Sequence, residues 1–318
     1  MSGILEQRIP EAHRGQRLDQ ALAALFPDFS RTRLKAWIEA GRVLVDGARP
    51  KPRDLVSGGE LVRVEPLHEA RVPIEPEPLP LAVVYEDEAL FVIAKPAGLV
   101  VHPGAGNPRQ TLQNALLAKD PALATLPRAG IVHRLDKDTS GLLVVARTPE
   151  AHAKLTRAHA HHEVEREYEA VAIGVMTAGG TVDAPIDRHP VDRLRMAVRG
   201  SGREAVTHYR VIERFRAHTH VRVRLETGRT HQIRVHLAHA GFPLVGDPLY
   251  GRRLVIPKGA SEQLIAALRG FRRQALHAAR LAFVHPASGE RVEFATPIPT
   301  DLAELLAALR EDAGAARP

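Results

Sequence analysis

The hydrophobic positions near the start of the chain repeat with helical spacing. Leu18, Ala21, Leu22 and Leu25 fall on one face, and Pro27 stops the run, which predicts a short helix. Ser30 is the expected N-cap of a second helix from Arg31 to Ala40, closed by Gly41. Leu34, Trp37 and Ile38 form its buried stripe, while Arg31, Arg33 and Lys35 take exposed positions. Val43 to Val45 alternates into Asp46-Gly47, a hairpin signal, and Leu61 to Val64 reads as a further strand. Pro66, Pro73, Pro76, Pro78 and Pro80 then interrupt any regular element, so residues 66–80 are expected to be an extended linker.

Beyond the linker the pattern changes. Val83 to Tyr85 and Leu90 to Ile93 predict strands around an acidic turn, and Leu142 to Val145 is a continuous apolar run. Thr111 to Ala118 and Glu150 to His162 predict helices, and Thr300 caps a last helix with Leu302, Leu305 and Leu306 inward. Val171 to Val175, Val206 to Val211, His220 to Leu225 and Leu281 to Val284 predict further strands. Many strands with few regularly spaced helices imply an α+β fold whose sheet is mainly antiparallel. The domain expectation is a small N-terminal α/β module at 15–75 and a large domain at 81–318, joined by a proline-rich tether that leaves the module mobile.

Length and charge sharpen this picture. At 318 residues the chain is too long for one typical core, in keeping with two domains. No apolar run approaches the ~18 residues of a membrane-spanning helix. The first eight residues lack the apolar core of a secretory signal, so the expected location is the cytoplasm. With no cysteine there is no disulfide, thiolate nucleophile or Cys-type zinc site. A net charge of +7, carried mostly by arginine, points to a polyanionic partner such as nucleic acid.

The segment Gly130-Ile131-Val132-His133-Arg134-Leu135-Asp136-Lys137-Asp138-Thr139-Ser140-Gly141-Leu142 carries the chemistry. Asp136 lies between Arg134 and Lys137, in a tight polar stretch that leads into an apolar strand. Nearby positive charge favours the ionised carboxylate, which can then act as nucleophile or base. Asp138 is read as structural, since neighbouring ionised carboxylates repel. His159, His161, His162 and Glu163 are the densest histidine cluster, but their spacing matches no metal-binding helix, and they are expected at an exposed helix end.

Two resemblances follow from these motifs. Arg17-Leu18-Asp19, Ser30-Arg31-Thr32-Arg33-Leu34, Trp37-Ile38, Gly41-Arg42-Val43-Leu44-Val45 and Gly58 to Glu60 are similar to the S4 RNA-binding domain. That resemblance implies an RNA-facing surface built from Arg31, Arg33, Lys35 and Arg42. Lys95 to Gly104, the Asp136 segment, Arg166 to Val171, Glu226 to Leu237 and Gly241 to Gly251 together resemble the RluA-type pseudouridine synthases, the groups acting on large-subunit ribosomal RNA above all. The resemblance implies the pseudouridine synthase fold and an isomerase that turns uridine in RNA into its C-glycoside without metal or cofactor. It makes Asp136 the catalytic carboxylate, attacking C1′ or removing the C2′ proton. Tyr168 is expected to pack on the target uracil and assist at C5. Arg234 is the expected partner of Asp136, with Arg229 the runner-up. Arg134 enters the space left by the flipped nucleotide or meets its phosphate, Lys137 is a backbone or RNA contact, and His231 is structural or RNA-proximal. The implied partner is large-subunit ribosomal RNA, in its helix 69 stem-loop, or the assembling particle, with no membrane and no metal.

Overall fold

The computed structural model describes residues 4–315 apart from 28, 30, 67–73, 105 and 252. The expected N-cap at Ser30 and the first half of the linker lie outside the described residues. The chain divides into two units, Met1–Pro73 and Ile74–Pro318.

In the first unit, α1 (Leu18–Leu25) and α2 (Arg31–Glu39) pack beside a three-stranded sheet of order β1 (Leu5–Arg8), β3 (Leu61–Val64), β2 (Val43–Val45). Leu18, Leu22, Leu34, Trp37, Ile38, Val43, Val62 and Val64 close its core. Strand β1 has no apolar alternation of its own and is held by pairing with β3, from Leu5 opposite Val64 to Arg8 opposite Leu61. The Asp46-Gly47 turn forms, with φ of 47° and 82° and reciprocal bonds between Val45 and Ala48. It does not join two adjacent strands as the hairpin expectation had it. Pro50 and Pro52 end the pairing, and β2 instead pairs with β3 further along the chain.

The second unit is built on a nine-stranded sheet. Its strands are β4 (Ala82–Glu86), β5 (Leu90–Lys95), β6 (Ser140–Ala146), β7 (Glu165–Ile173), β8 (Gly180–Asp183), β11 (Val206–Arg214), β12 (His218–Leu225), β13 (Leu276–Val284) and β14 (Arg291–Ala295). The order is β4-β5-β6-β13-β7-β12-β11-β8, with β14 on β13, and a separate ribbon joins β9 (Ile186–Arg188) to β10 (Met196–Val198). Among the described residues, every strand pairing of this sheet is antiparallel except the short β6–β13 contact, His277 opposite Ser140 and Ala278 opposite Gly141. Gly141, at φ 116°, is required there, because a Cβ would lie 2.2 Å from the Ala278 carbonyl oxygen.

The helices are α3 (Leu112–Lys119), α4 (Pro149–Ala160), α5 (Gln232–His239), α6 (Glu262–Gly270) and α7 (Thr300–Ala315). Thr111 caps α3 through a reciprocal capping box with Asn114. One face of the sheet buries Tyr168, Ala170, Val221 and Val223 against Leu112, Leu116 and Leu237. The other face buries Val171 and Ile173 under α6 and α7, with Leu264, Leu302, Leu305 and Leu306. The strand expected at Val171 to Val175 runs instead from Glu165 to Ile173, because its first half alternates polar with apolar and its charged positions find partners across the sheet. The histidine-rich end of α4 is only partly exposed: His159 tucks its ring against His133, centroids 4.6 Å apart.

Candidate active site

The Asp136 loop leaves a 3-10 turn at Pro127–Gly130 and enters β6. Its backbone is fixed from several sides. Thr139 N donates to Asp136 O (3.1 Å), Gly98 N donates to Lys137 O (2.9 Å), and Gln274 Nε2 donates to Thr139 Oγ1 (3.0 Å). Arg273 Nη1 reaches Asp138 O at 3.2 Å, and Ser140 Oγ meets His277 Nδ1 at 2.9 Å. Beneath the loop, Lys95 is 1% exposed and donates to the carbonyls of Pro96, Leu99 and Lys137 at 2.7, 2.9 and 2.8 Å. Burial pushes its amine down to about 7, opposed by the charges of Asp138 and Asp136.

The second half of the site comes from the turn before α5. Gln232 locks that turn, accepting from Thr227 Oγ1 (2.7 Å) and Arg229 N (2.9 Å) while donating to Val206 O and Thr207 Oγ1 (3.0 Å each). His231 adopts a left-handed φ of 57° at the helix start, backbone strain of the kind that gathers at functional sites. In the first turn of α5, Arg234 is buried and donates from Nη1 to Asp136 Oδ2 at 3.0 Å. Its other edge is bidentate on Asp247, Nε to Oδ2 at 2.7 Å and Nη2 to Oδ1 at 2.9 Å. Asp247, fully enclosed, also accepts the backbone N–H groups of Leu249 and Tyr250.

These contacts set the electrostatics. Burial alone would lower the pKa of Arg234, but its bonds to Asp247 and the charges of Asp247 and Asp136 raise it. Burial alone would raise Asp247, yet Arg234 and the two backbone donors hold it below the usual carboxylate range. Arg234 therefore stays a cation, half neutralised from behind and aimed at Asp136, whose side chain retains 19% exposure. His231 Nε2 stands 3.8 Å from Asp136 Oδ1, and its Nδ1 lies 2.8 Å from the Tyr250 hydroxyl, which accepts from Met196 N at 2.7 Å. Burial lowers the His231 pKa despite Asp136, so the ring is neutral at pH 7. The Tyr250 ring also carries the Arg234 and Arg195 guanidinium groups at 5.0 and 5.3 Å from its centroid. Tyr168 is 6% exposed on β7, near enough for Asp136 to act on it: burial and the Asp136 charge both raise its phenol pKa.

The sequence-predicted residues separate into those the fold brings together and those it spreads out. Asp136, Tyr168, Arg234 and His231 converge. Arg229 does not reach Asp136; its Nε donates to Glu204 O at 2.9 Å. Arg134 and Lys137 flank the loop on the exposed side. In the first unit, Arg31 is committed to the buried Asp19 (2.8 and 3.0 Å), which Arg17 also grips. Arg33 lies over the Trp37 and Phe29 rings, Lys35 is 3.5 Å from Glu39, and Arg42 is 3.6 Å from Glu65. Sequence reasoning gave no role to Lys95, Asp247 or Tyr250. Each stood inside a motif, but the signal that separates them from scaffold, their shared contact with Arg234 or the Asp136 loop, exists only in three dimensions. The histidine cluster assembles no site: burial lowers His159 to about 3, and no group of three His, Asp or Glu side chains among the described residues is placed to hold a metal.

Comparison with known proteins identifies the family. The family model described as RNA pseudouridylate synthase matches residues 89–239, and the S4 domain model matches 16–62. "Ribosomal large subunit pseudouridine synthase D" of Xanthomonas campestris pv. campestris is 58% identical over 99% of this chain and 95% of its own length. The protein of that name from Escherichia coli K12 is 57% identical over 97% of this chain and 95% of its own, and that from Pseudomonas aeruginosa 56% identical over 98% of both. Among solved structures, human RNA pseudouridylate synthase domain containing 1 is 28% identical with a TM-score of 0.56, covering 73% of this chain and 90% of its own. The chain belongs to the RNA pseudouridine synthase family, isomerases of uridine in RNA, and carries an S4 domain ahead of the catalytic unit. No helix among the described residues is long and apolar enough to cross a membrane.

Proposed function

We propose that this enzyme isomerises uridines of large-subunit ribosomal RNA, in the helix 69 stem-loop, free or within the assembling particle, using Asp136 on a nucleotide flipped out of its stack. The single observation that carries the catalytic part is the chain of contacts Asp247–Arg234–Asp136 beside Tyr168. The substrate part is supported by relatives at 56–58% identity over nearly the whole chain that bear the large-subunit name.

The reaction breaks the N1–C1′ bond, turns the uracil, and joins C5 to C1′, with the C5 proton lost and N1 protonated, so the overall change is an isomerisation. One ionised carboxylate serves either opening step, attack at C1′ or removal of the C2′ proton. Arg234 donates to that carboxylate and fixes its direction, and Asp247 keeps Arg234 from swinging away. The raised phenol pKa of Tyr168 leaves it protonated at neutral pH, which suits it to pack against the uracil and donate a hydrogen bond, and disfavours it as the base at C5. A duplex-buried base cannot reach a partly enclosed carboxylate, so the target leaves its stack. Arg134 and Lys137, exposed on the rim, and the arginine-rich surface supply grip on phosphate. Pseudouridine mapping of ribosomal RNA from cells with and without the enzyme tests the reading: modification of helix 69 uridines is expected to vanish with the protein. Loss at small-subunit or transfer RNA sites alone would overturn it.

A further inference from the structure

We propose that the Arg166 guanidinium is the seat for a phosphate of the bound RNA strand, beside the target nucleotide. Arg166 lies two residues before Tyr168 on β7, so strand alternation puts both side chains on the same face of the sheet. It is 8% exposed, its Nε is sealed from solvent without an acceptor, and no carboxylate among the described residues pairs with it. The nearest acids along the strand point the other way and are taken: Glu165 by Arg280 and Arg291, Glu167 by Arg280. Asp136 is occupied by Arg234. With Nε sealed and no carboxylate at its fork, an anion arriving from outside would add the charge-assisted bonds that this guanidinium lacks.

A second observation shows how that anion would arrive. Arg166 Nη1 abuts Gly228, where a Cβ would sit only 2.6 Å away. Gly228 has no left-handed φ, so what its missing side chain provides is room for the guanidinium in its present position. Gly228 itself is exposed, so the guanidinium lies directly beneath an open turn. The two histidines that feel its charge, His133 and His159, are both held neutral by burial, with Arg166 acting in the same direction. Of the parts of an RNA, only the phosphodiester is anionic, and a guanidinium fork matches two of its oxygens.

The inference rests on RNA as substrate and on Tyr168 facing the target. Its test uses the full-length enzyme, a stem-loop RNA, and copies bearing one neutral methylphosphonate at a phosphate on either side of the target uridine. For the wild type, one of these substitutions is expected to weaken RNA binding by about tenfold or more. R166Q should lose a similar factor on unmodified RNA and nothing further on that methylphosphonate, R166K should recover part of the loss, and kcat at saturating RNA should change little. Because the charge is unpaired without RNA, RNA-free R166Q should melt at or above the wild-type temperature. Additive losses in the variant and the modified RNA, or indifference of the wild type to every methylphosphonate, would overturn the proposal. So would a lower melting temperature with no rescue by lysine. An Asp136→Asn enzyme that still isomerised would instead sink the catalytic reading, which the binding cycle does not touch.

Discussion

Asp247 grips Arg234 by two edges, Nε at 2.7 Å and Nη2 at 2.9 Å, and so leaves Nη1 as the only edge turned to Asp136. Removing one partner of a buried pair strands the other's charge, at a cost of about 3–5 kcal/mol. Asp247→Asn is therefore expected to lower urea stability by that order and to reduce kcat without touching the substrate. The pH dependence has a definite sign. The folded pKa of Asp247 lies below its unfolded value, so its stabilisation is present above about pH 4 and is lost as pH falls through the folded value. The acid limb of the unfolding curve should be flatter in Asp247→Asn; identical limbs would refute this.

At Lys95 burial, not a charged partner, sets the shift. Its folded amine sits at about 7, against about 10.4 in an unfolded chain. Between those values the unfolded chain holds a proton that the folded one lacks, so stability rises with pH, by up to about 1.4 kcal/mol per unit. Lys95→Met should abolish that rise between pH 7 and 10, measured by denaturant midpoints, while loosening the Asp136 loop enough to lower kcat. Parallel pH curves for the two proteins would contradict the assignment.

Gly141→Ala places a methyl 2.2 Å from the Ala278 oxygen at a φ of 116°. The only parallel contact of the sheet among the described residues, which anchors the Asp136 loop, cannot survive it unchanged. A loss of at least about 3 kcal/mol is expected, with activity falling alongside. A variant of wild-type melting temperature would show the strand junction to be more yielding than described.

In the S4 domain, Arg31 and Lys35 share a helix but not a role. Arg31 pairs with the buried Asp19, and Lys35 sits in an exposed i,i+4 pair. Arg31→Ala is expected to lower domain stability by about 1–3 kcal/mol as Asp19 loses a donor. Lys35→Ala should leave stability within about 0.5 kcal/mol. If Lys35 meets a phosphate, its loss reduces the salt slope of RNA binding by roughly 0.7–0.9. Equal melting temperatures for the two variants would overturn the distinction.

Much of this was legible in the chain. The apolar periodicity at Leu18 to Leu25 and Leu142 to Val145 predicts elements that form, because their buried faces are continuous. The Asp136 and Arg234 motifs lie 98 residues apart yet meet at 3.0 Å. Strand β1 was not legible, since an edge strand held by backbone pairing needs no apolar pattern. Helix α5 was hidden because Gln232, Arg234 and His236 fill positions that an amphipathic reading reserves for apolar residues. They are buried for hydrogen bonding and charge placement instead. Lys95 and Asp247 escaped for the same reason: a charged residue in a sequence reads as surface, and only the folded chain shows its partners.

The most direct measurement is single-turnover isomerisation of a helix 69 stem-loop by wild type and Asp136→Asn, with tritium release from C5 of uridine as the readout. Arg234 keeps Asp247 as its counter-ion in the variant, so the protein should fold and bind RNA normally. The rate is expected to fall by at least about 10²–10⁴-fold. A folded, RNA-binding Asp136→Asn enzyme that turns over at the wild-type rate would contradict the account at its centre.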